Sequence, residues 1–336
     1  MRGIYYKERA TRVEQPMLDA VTSVGEHGQV SGHALVDAIT SASAAAGADG
    51  TAFTEKRYEG GLQYRHTLGR VTLLGQGRYS TEPDYKSRYL AGGAMLELAE
   101  KNTVISATAG YLSDDVSNAG AQGPFAQLIT GQMHGYLGFA SISQLLGPQT
   151  VVGLTVDVTS LRGYQQNPYR QVITNEGLVA ERHPDARLRQ AYTATARHYW
   201  PRFAATLIGV YRYYRDDWGV RAHTPEARIV KEISDTIDAG IRYRVHWQDK
   251  ANFFQDRYRT GDPTMQPFVS DDIKLSDFST HLLEAKLGVA GATFGWQGRL
   301  GATRFEALLT YILQDNRFGN AVVANAAITV PLQADD

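Results

Sequence analysis

The 336-residue chain is 43% hydrophobic and 10% aromatic, and its 34 basic and 35 acidic side chains leave a formal net charge of −1. That aromatic content excludes a disordered chain, and the missing basic excess removes support for general phosphate or nucleic-acid binding. Cysteine is absent, which suits an oxidising compartment without requiring one, and no window approaches eighteen consecutive apolar residues, which excludes a transmembrane helix.

From the N-terminus, the opening MRGIYYKERATRV lacks the basic, apolar and small-residue segments of a secretory signal, so a signal peptide is expected to be absent from this chain. Alternation of period two then predicts strands beginning near positions 2, 17, 29, 54, 69, 87, 102, 132, 149, 188, 203, 220, 236, 278, 302 and 320. In 57–66, Tyr58, Gly60, Leu62 and Tyr64 alternate with Arg57, Glu59, Gln63 and Arg65. In 70–80, Leu73 and Tyr79 share one face and Arg78 lies on the other. Val152, Leu154, Val156 and Val158 alternate with polar residues that include Asp157. The longest run is 235–249, where Ile237, Ala239, Ile241, Tyr243, Val245 and Trp247 alternate with Asp238, Gly240, Arg242, Arg244, His246 and Gln248. The C-terminal strands repeat the pattern, with Glu284, Lys286, Arg304 and Glu306 opposite aliphatic and aromatic positions.

Short connections at 66–70, 99–102, 146–150, 200–202, 233–236 and 290–295 alternate with longer polar ones at 40–52, 81–87, 113–130, 162–187, 214–220 and 250–277. A short-turn, long-loop rhythm builds an up-and-down meander with two unlike ends. The expected architecture is one domain, 1–336: an all-β, transmembrane, antiparallel barrel of about sixteen strands, with fourteen also compatible. An even strand number places both termini on the short-turn, periplasmic side of a bacterial outer membrane.

The apolar face is expected to meet lipid, with Tyr199, Trp200, Tyr211, Tyr213, Trp218, Trp247 and Trp296 beside turns as aromatic girdles. The polar face is expected to line the lumen, with Arg57, Arg65, Arg78, Arg197, Arg212, Arg242, Arg244, Lys286 and Arg304 against Glu59, Glu97, Asp157, Asp238, Glu284 and Glu306, and with His246. Two readings of these charges stand: pairing across the wall, or a path for an anionic solute in which Arg242 and Arg244 make the contact. The loop 162–187 carries Arg170, Arg182, His183 and Arg187, which could narrow the lumen, bind lipopolysaccharide phosphate, or be tied up in the loop's own ion pairs. Asp114–Asp115, Asp216–Asp217 and Asp271–Asp272 are expected in outer loops, without the spacing of a calcium loop, so no metal and no cofactor are expected. No hydrolase, phosphate-loop or redox signature is present, and an enzyme is not expected.

Several long runs, among them YYKERATRVEQP, LVDAITSASAAAG, FTEKRYEGG, RYSTEPDY, KNTVISATAGYLSDDVSN, NPYRQV, ERHPDARLRQA and DNRFGNA, lie in the order found in a bacterial family. The chain resembles this DUF3570-type family, a domain of unknown function, over nearly its whole length. The resemblance implies a Gram-negative outer-membrane β-barrel in contact with membrane lipid and lipopolysaccharide. Because some members are encoded beside a small lipoprotein, a thioredoxin-like protein and a flavin transferase, it also implies a lipoprotein or periplasmic redox partner. It departs from the pattern of many barrels in its tail, PLQADD, where a final strand often ends on an aromatic. Together these features point to a porin-like or partner-gated conduit for a small polar solute or exported molecule. The alternative is a closed barrel anchoring an envelope complex.

Overall fold

A computed structural model describes residues 1–41, 53–118, 129–259 and 267–332. Residues 42–52, 119–128 and 260–266 of the expected loops at 40–52, 113–130 and 250–277 lie outside the described residues. The N-terminal strands are β1 (Arg2–Lys7), β2 (Thr11–Val24), β3 (Gly28–Ser41), β4 (Phe53–Leu68), β5 (Val71–Thr81) and β6 (Tyr85–Leu98). Then come β7 (Thr103–Ser117), β8 (Thr130–Gly147), β9 (Thr150–Gly163), a small hairpin β10 (Gln171–Thr174) and β11 (Gly177–Ala180), and β12 (Ala186–Trp200). The C-terminal set is β13 (Ala205–Asp216), β14 (Arg221–Ser234), β15 (Ile237–Gln248), β16 (Phe278–Ala290), β17 (Arg304–Gln314) and β18 (Ala321–Thr329). All but the hairpin pair with their sequence neighbours into one closed, antiparallel, sixteen-stranded barrel. β1 and β18 close it through a register running from Arg2 opposite Ala327 to Lys7 opposite Val322. Closure leaves no sheet edge, which a wall surrounded by hydrocarbon requires.

The alternation in the sequence becomes two surfaces. On β15, Ile241, Tyr243 and Trp247 are 62%, 47% and 42% exposed, whereas Arg242, Arg244 and His246 between them are half-buried. Leu62, Leu90, Leu154, Ile229 and Leu309 continue the exposed apolar belt around the barrel. A water-soluble protein does not surround itself with such a belt, and a membrane-spanning barrel must. No helix among the described residues is long and apolar enough to cross a membrane.

Four local features differ from the expectation. The second strand starts at Thr11, so it is longer than its predicted start at 17 implied. Only 82–84 and 217–220 separate β5 from β6 and β13 from β14, because the strands extend through the polar ends of the expected loops. Asp114 and Asp115 are likewise strand residues of β7. The last short-side connection is the long one, with a 3-10 turn at Gly291–Phe294 and a short helix at Gly298–Ala302. One glycine is dictated by geometry: Gly163 ends β9 at a φ of +110°, and a Cβ there would stand 2.1 Å from the Gln132 carbonyl oxygen.

Candidate functional site

The inner wall is divided by depth. Toward the short-turn side, β15, β16 and β17 place Asp238, Lys286, Arg304 and Glu306 around one another. Lys286 Nζ lies 2.6 Å from Glu306 and 3.8 Å from Asp238, and Arg304 pairs with both Asp238 and Glu306. One level outward, Arg242 donates to Glu284 at 2.6 Å and faces Glu226 at 3.8 Å, which also holds Arg228 at 3.1 Å. Thr310 donates to the same Glu284 carboxylate at 3.0 Å. Across the barrel, Arg57 pairs with Asp37 at 2.5 Å, and Glu59 lies between His33 at 3.0 Å and Arg78 at 3.9 Å. Glu97 meets Lys101 at 3.4 Å beside the short turn, and Arg65 stands near the same end. Of the two expected readings, wall pairing describes these groups, and Arg242 is not a free cation. Apart from Arg65, each of these charges offsets another, so the paired part of the wall favours neither sign of solute.

Nearer the long-loop end the balance changes. Arg212 and Arg244 flank β14 at successive inner positions, opposite Thr224 and Glu226 respectively. Neither has an ion-pair partner among the described residues. Arg189 joins them from β12 and donates to Tyr214 Oη at 3.1 Å. His246, bonded to Thr224 at 2.8 Å, completes the group. Asp157 faces this group from β9, and Arg197 lies lower on β12, both outside any ion pair among the described residues. The periodicity placed Arg212 and Arg244 on the inner face. Their lack of partners depends on cross-strand register, which the periodicity does not supply.

Above this patch, the connection 164–185, which the sequence offered as a constriction, builds a cap together with 249–259 and 267–277, a joining the sequence did not show. Trp218, Val220, Ala251, Phe253, Phe254 and Leu275 form one small apolar core, and Val172, Tyr258 and Val269 form another. The cap rests on the inner side of the wall, since inward-facing Tyr214 packs on the first core and Gln248 donates to the Lys274 and Ser276 carbonyls. Its aromatics, Phe253, Phe254, Tyr258 and Phe268, were the available signal, in loops otherwise polar. A buried clasp joins the two connections. Arg170 lies 3.2 Å from both Glu181 and Asp272, Ser270 donates to Glu181 at 2.6 Å, and His183 Nε2 lies 3.2 Å from Glu181 and 2.9 Å from Ser270 Oγ. Burial alone would raise the Glu181 carboxyl, but hydrogen bonding to His183 and Ser270 and the Arg170 charge bring it down to about 2.

The four loop residues therefore fall to different tasks. Arg170 and His183, with side chains 9% and 3% exposed, are locked in the clasp and cannot reach lipopolysaccharide. Arg187 donates to Asp216 at 2.6 and 3.0 Å and lies 4.1 Å over the Trp218 ring. Arg182 alone has an exposed side chain, its backbone pairing with Val269. Two girdle expectations are also corrected. Trp218 is 4% exposed inside the cap, where its Nε1 donates to the Ala186 carbonyl, because its turn folds over the mouth. Tyr199 shares the inner parity of Arg197 and reaches Glu232 at 3.4 Å.

Trp200, Tyr211, Tyr213, Trp247 and Trp296 do lie on the outer surface. Trp247 stacks on His223 at 5.3 Å, and Trp296 packs on Phe294 and Phe305 near the short-turn rim. Histidines join this belt unexpectedly: Tyr111, Tyr211 and Tyr243 each place Oη within 2.9, 2.6 and 2.7 Å of Nδ1 of His134, His223 and His281 on a neighbouring strand. Only His134 has a same-strand tyrosine two positions away (Tyr136), so the sequence showed little of this.

Glu55, Glu82 and Asp84 bring carboxylate oxygens within 4.8 Å of one another at the long-loop end. Burial pushes Glu82 up, while the Arg57 charge opposes it. Ser270, His183 and Glu181 share residue types with a hydrolytic triad, but not its order. The carboxylate binds the serine hydroxyl directly, His183 Nδ1 faces the Gln165 carbonyl at 3.2 Å, and the three residues are 1%, 7% and 4% exposed. A substrate has no access to that hydroxyl.

In fold the barrel is similar to a bacterial polysaccharide outer membrane secretin, with a TM-score of 0.53, 8% identity, and coverage of 99% of this chain and 97% of that one. It is also similar to a BenF-like porin from Pseudomonas fluorescens Pf-5 (TM-score 0.46, 10% identity, 98% of this chain and 97% of that one). A third similar structure is OccD3 (OpdP) of Pseudomonas aeruginosa (TM-score 0.48, 9% identity, 98% and 90%). No curated protein matches the chain in sequence. The sequence pattern of one family matches residues 48–136 and 130–315, and the chain belongs to that family, described as "Protein of unknown function (DUF3570)".

Proposed function

We propose that this barrel is an outer-membrane conduit that favours small anionic solutes, with both termini in the periplasm and the long connections outside. The observation that carries this reading is the pair Arg212 and Arg244. They face the lumen below the cap without ion-pair partners among the described residues, while most of the charges deeper in the wall are paired with one another. Unpaired guanidiniums in a confined, partly desolvated space raise the local concentration of anions. The cap above them gives the entrance a fixed shape and supports a gated entry. No reaction is assigned to the barrel.

Liposome swelling tests this reading. Vesicles carrying the protein should admit a small dicarboxylate roughly 3–10-fold faster than a neutral solute of equal size, and Arg212→Ala/Arg244→Ala should abolish the difference. Equal rates for both solutes in the unmodified protein would overturn the anion preference. The cap also favours a second reading, a closed barrel that anchors a lipoprotein or redox partner. That reading predicts no swelling with any solute and a stoichiometric partner on purification in mild detergent.

A further inference from the structure

The outer surface carries a second group of cations, separate from the lumen. On the outward parity of β6, Lys86 and Arg88 are exposed, and two and three strands away, on β8 and β9, so are His134 and Arg162. Register aligns them: Arg88 lies opposite Ser113, Ser113 opposite His134, and His134 opposite Arg162, so they form one row across four adjacent strands. The row immediately below contains Tyr111 and Tyr136, which are paired with each other and belong to the aromatic belt. The cations thus sit just above the belt, at the depth of lipid headgroups on the long-loop side.

The distribution is uneven. Outward positions of β15, β16, β17 and β18 carry no lysine or arginine, and Arg215 and Arg221, opposite each other on β13 and β14, form a second, smaller outward pair at the same end. Within the patch the acidic group is Asp115, which takes a hydrogen bond from Arg88 at 2.8 Å and another from Gln132 at 3.1 Å. It fixes the Arg88 guanidinium and lies directly opposite Lys86, so that one carboxylate faces two cations, while Arg162 has no ion-pair partner among the described residues. Tyr111 Oη, 2.9 Å from His134 Nδ1, directs the other ring nitrogen of His134 toward the headgroup layer.

We propose that this sector binds the phosphorylated head of an outer-leaflet glycolipid, with its acyl chains along the apolar wall below. Guanidinium groups match phosphate in geometry and charge, and three strand intervals of about 4.8 Å separate Arg88 from Arg162 by roughly 14 Å, room for a headgroup carrying two phosphates. The proposal uses the orientation given above but not the lumen reading, since every group involved faces away from the lumen.

Native mass spectrometry of the detergent-solubilised barrel, with bisphosphoryl, monophosphoryl and dephosphorylated lipid A as probes, tests the assignment. The barrel should retain bisphosphoryl lipid A at least tenfold more strongly than the dephosphorylated form, with the monophosphoryl lipid between them. Arg88→Ala/Arg162→Ala should lose that preference, while Lys231→Ala, toward the short-turn side, should keep it. If the double variant does not insert, Arg162→Glu gives the same test, since the Arg162 side chain makes no hydrogen bond among the described residues. Anion preference in swelling assays should be unchanged in these variants, so a failure of the lumen reading and a failure of this one are distinguishable. Equal retention of the dephosphorylated lipid, equal competition by phosphatidylglycerol, or full retention by the variants would each overturn the proposal.

Discussion

Glu181→Ala is expected to open the outer cap while leaving the barrel folded. Removing this carboxylate takes the acceptor from Ser270 and His183 and one of two carboxylates from Arg170, all of them buried. Breaking a buried, hydrogen-bonded charge network by deleting one member costs about 3–5 kcal/mol. A local opening equilibrium would then shift by roughly 10²–10³-fold. Tryptic cleavage within 164–185 should accelerate accordingly, while the heat-modifiable gel mobility of the barrel is retained. Cleavage at the unmodified rate would show that the clasp does not hold the cap. The pH dependence has a definite sign. Because the folded value, about 2, lies below the ordinary 4.5, the contribution is complete above about pH 4.5 and is lost as pH falls through about 2. That difference corresponds to roughly 3 kcal/mol. The cap should therefore resist trypsin-like cleavage equally at pH 5 and pH 7.

Ile241→Arg is the second large expectation. Ile241 is 62% exposed at the middle of the β15 outer face, between Ile229 and Ala285 on the neighbouring strands. A guanidinium at the bilayer midplane should cost about 2–4 kcal/mol in the folding free energy measured by reversible denaturant titration in lipid vesicles. Thr193→Arg, at an inner position of β12, should stay within about 1 kcal/mol. Equal costs at the two positions would contradict the assignment of inner and outer faces.

The barrel was legible because one face of each strand must be apolar and the other is free to be polar, so period two survives even where charge is dense. Residues 237–248 show it without interruption. Strand ends were less legible, since the polar tops of β7, β13 and β14 look like loop in composition while still pairing across the wall. Asp114 and Asp216 are examples, both held by partners on adjacent elements. The lumen site was legible as a set of facing charges but not as a balance. Arg242 and Arg244 are equivalent in the sequence, two residues apart on one face. Only register puts Glu284 beside the first and leaves the second without an ion pair among the described residues. The loop at 162–187 was legible as a constriction, but not its joining to the second connection, because the clasp unites residues about ninety positions apart, Glu181 with Ser270 and Asp271. Trp218 was read as a girdle residue for a related reason: a tryptophan beside a turn looks the same whether the turn meets lipid or folds over the mouth.

The central claim is that unpaired cations beneath the cap set the sign of what passes, and the zero-current potential across a planar bilayer under a potassium chloride gradient tests it most directly. The unmodified barrel should show anion preference, and Arg212→Glu/Arg244→Glu should reverse its sign with the lower ion-pair network intact. A cation-preferring barrel, or a potential unmoved by reversing these two charges, would contradict the account.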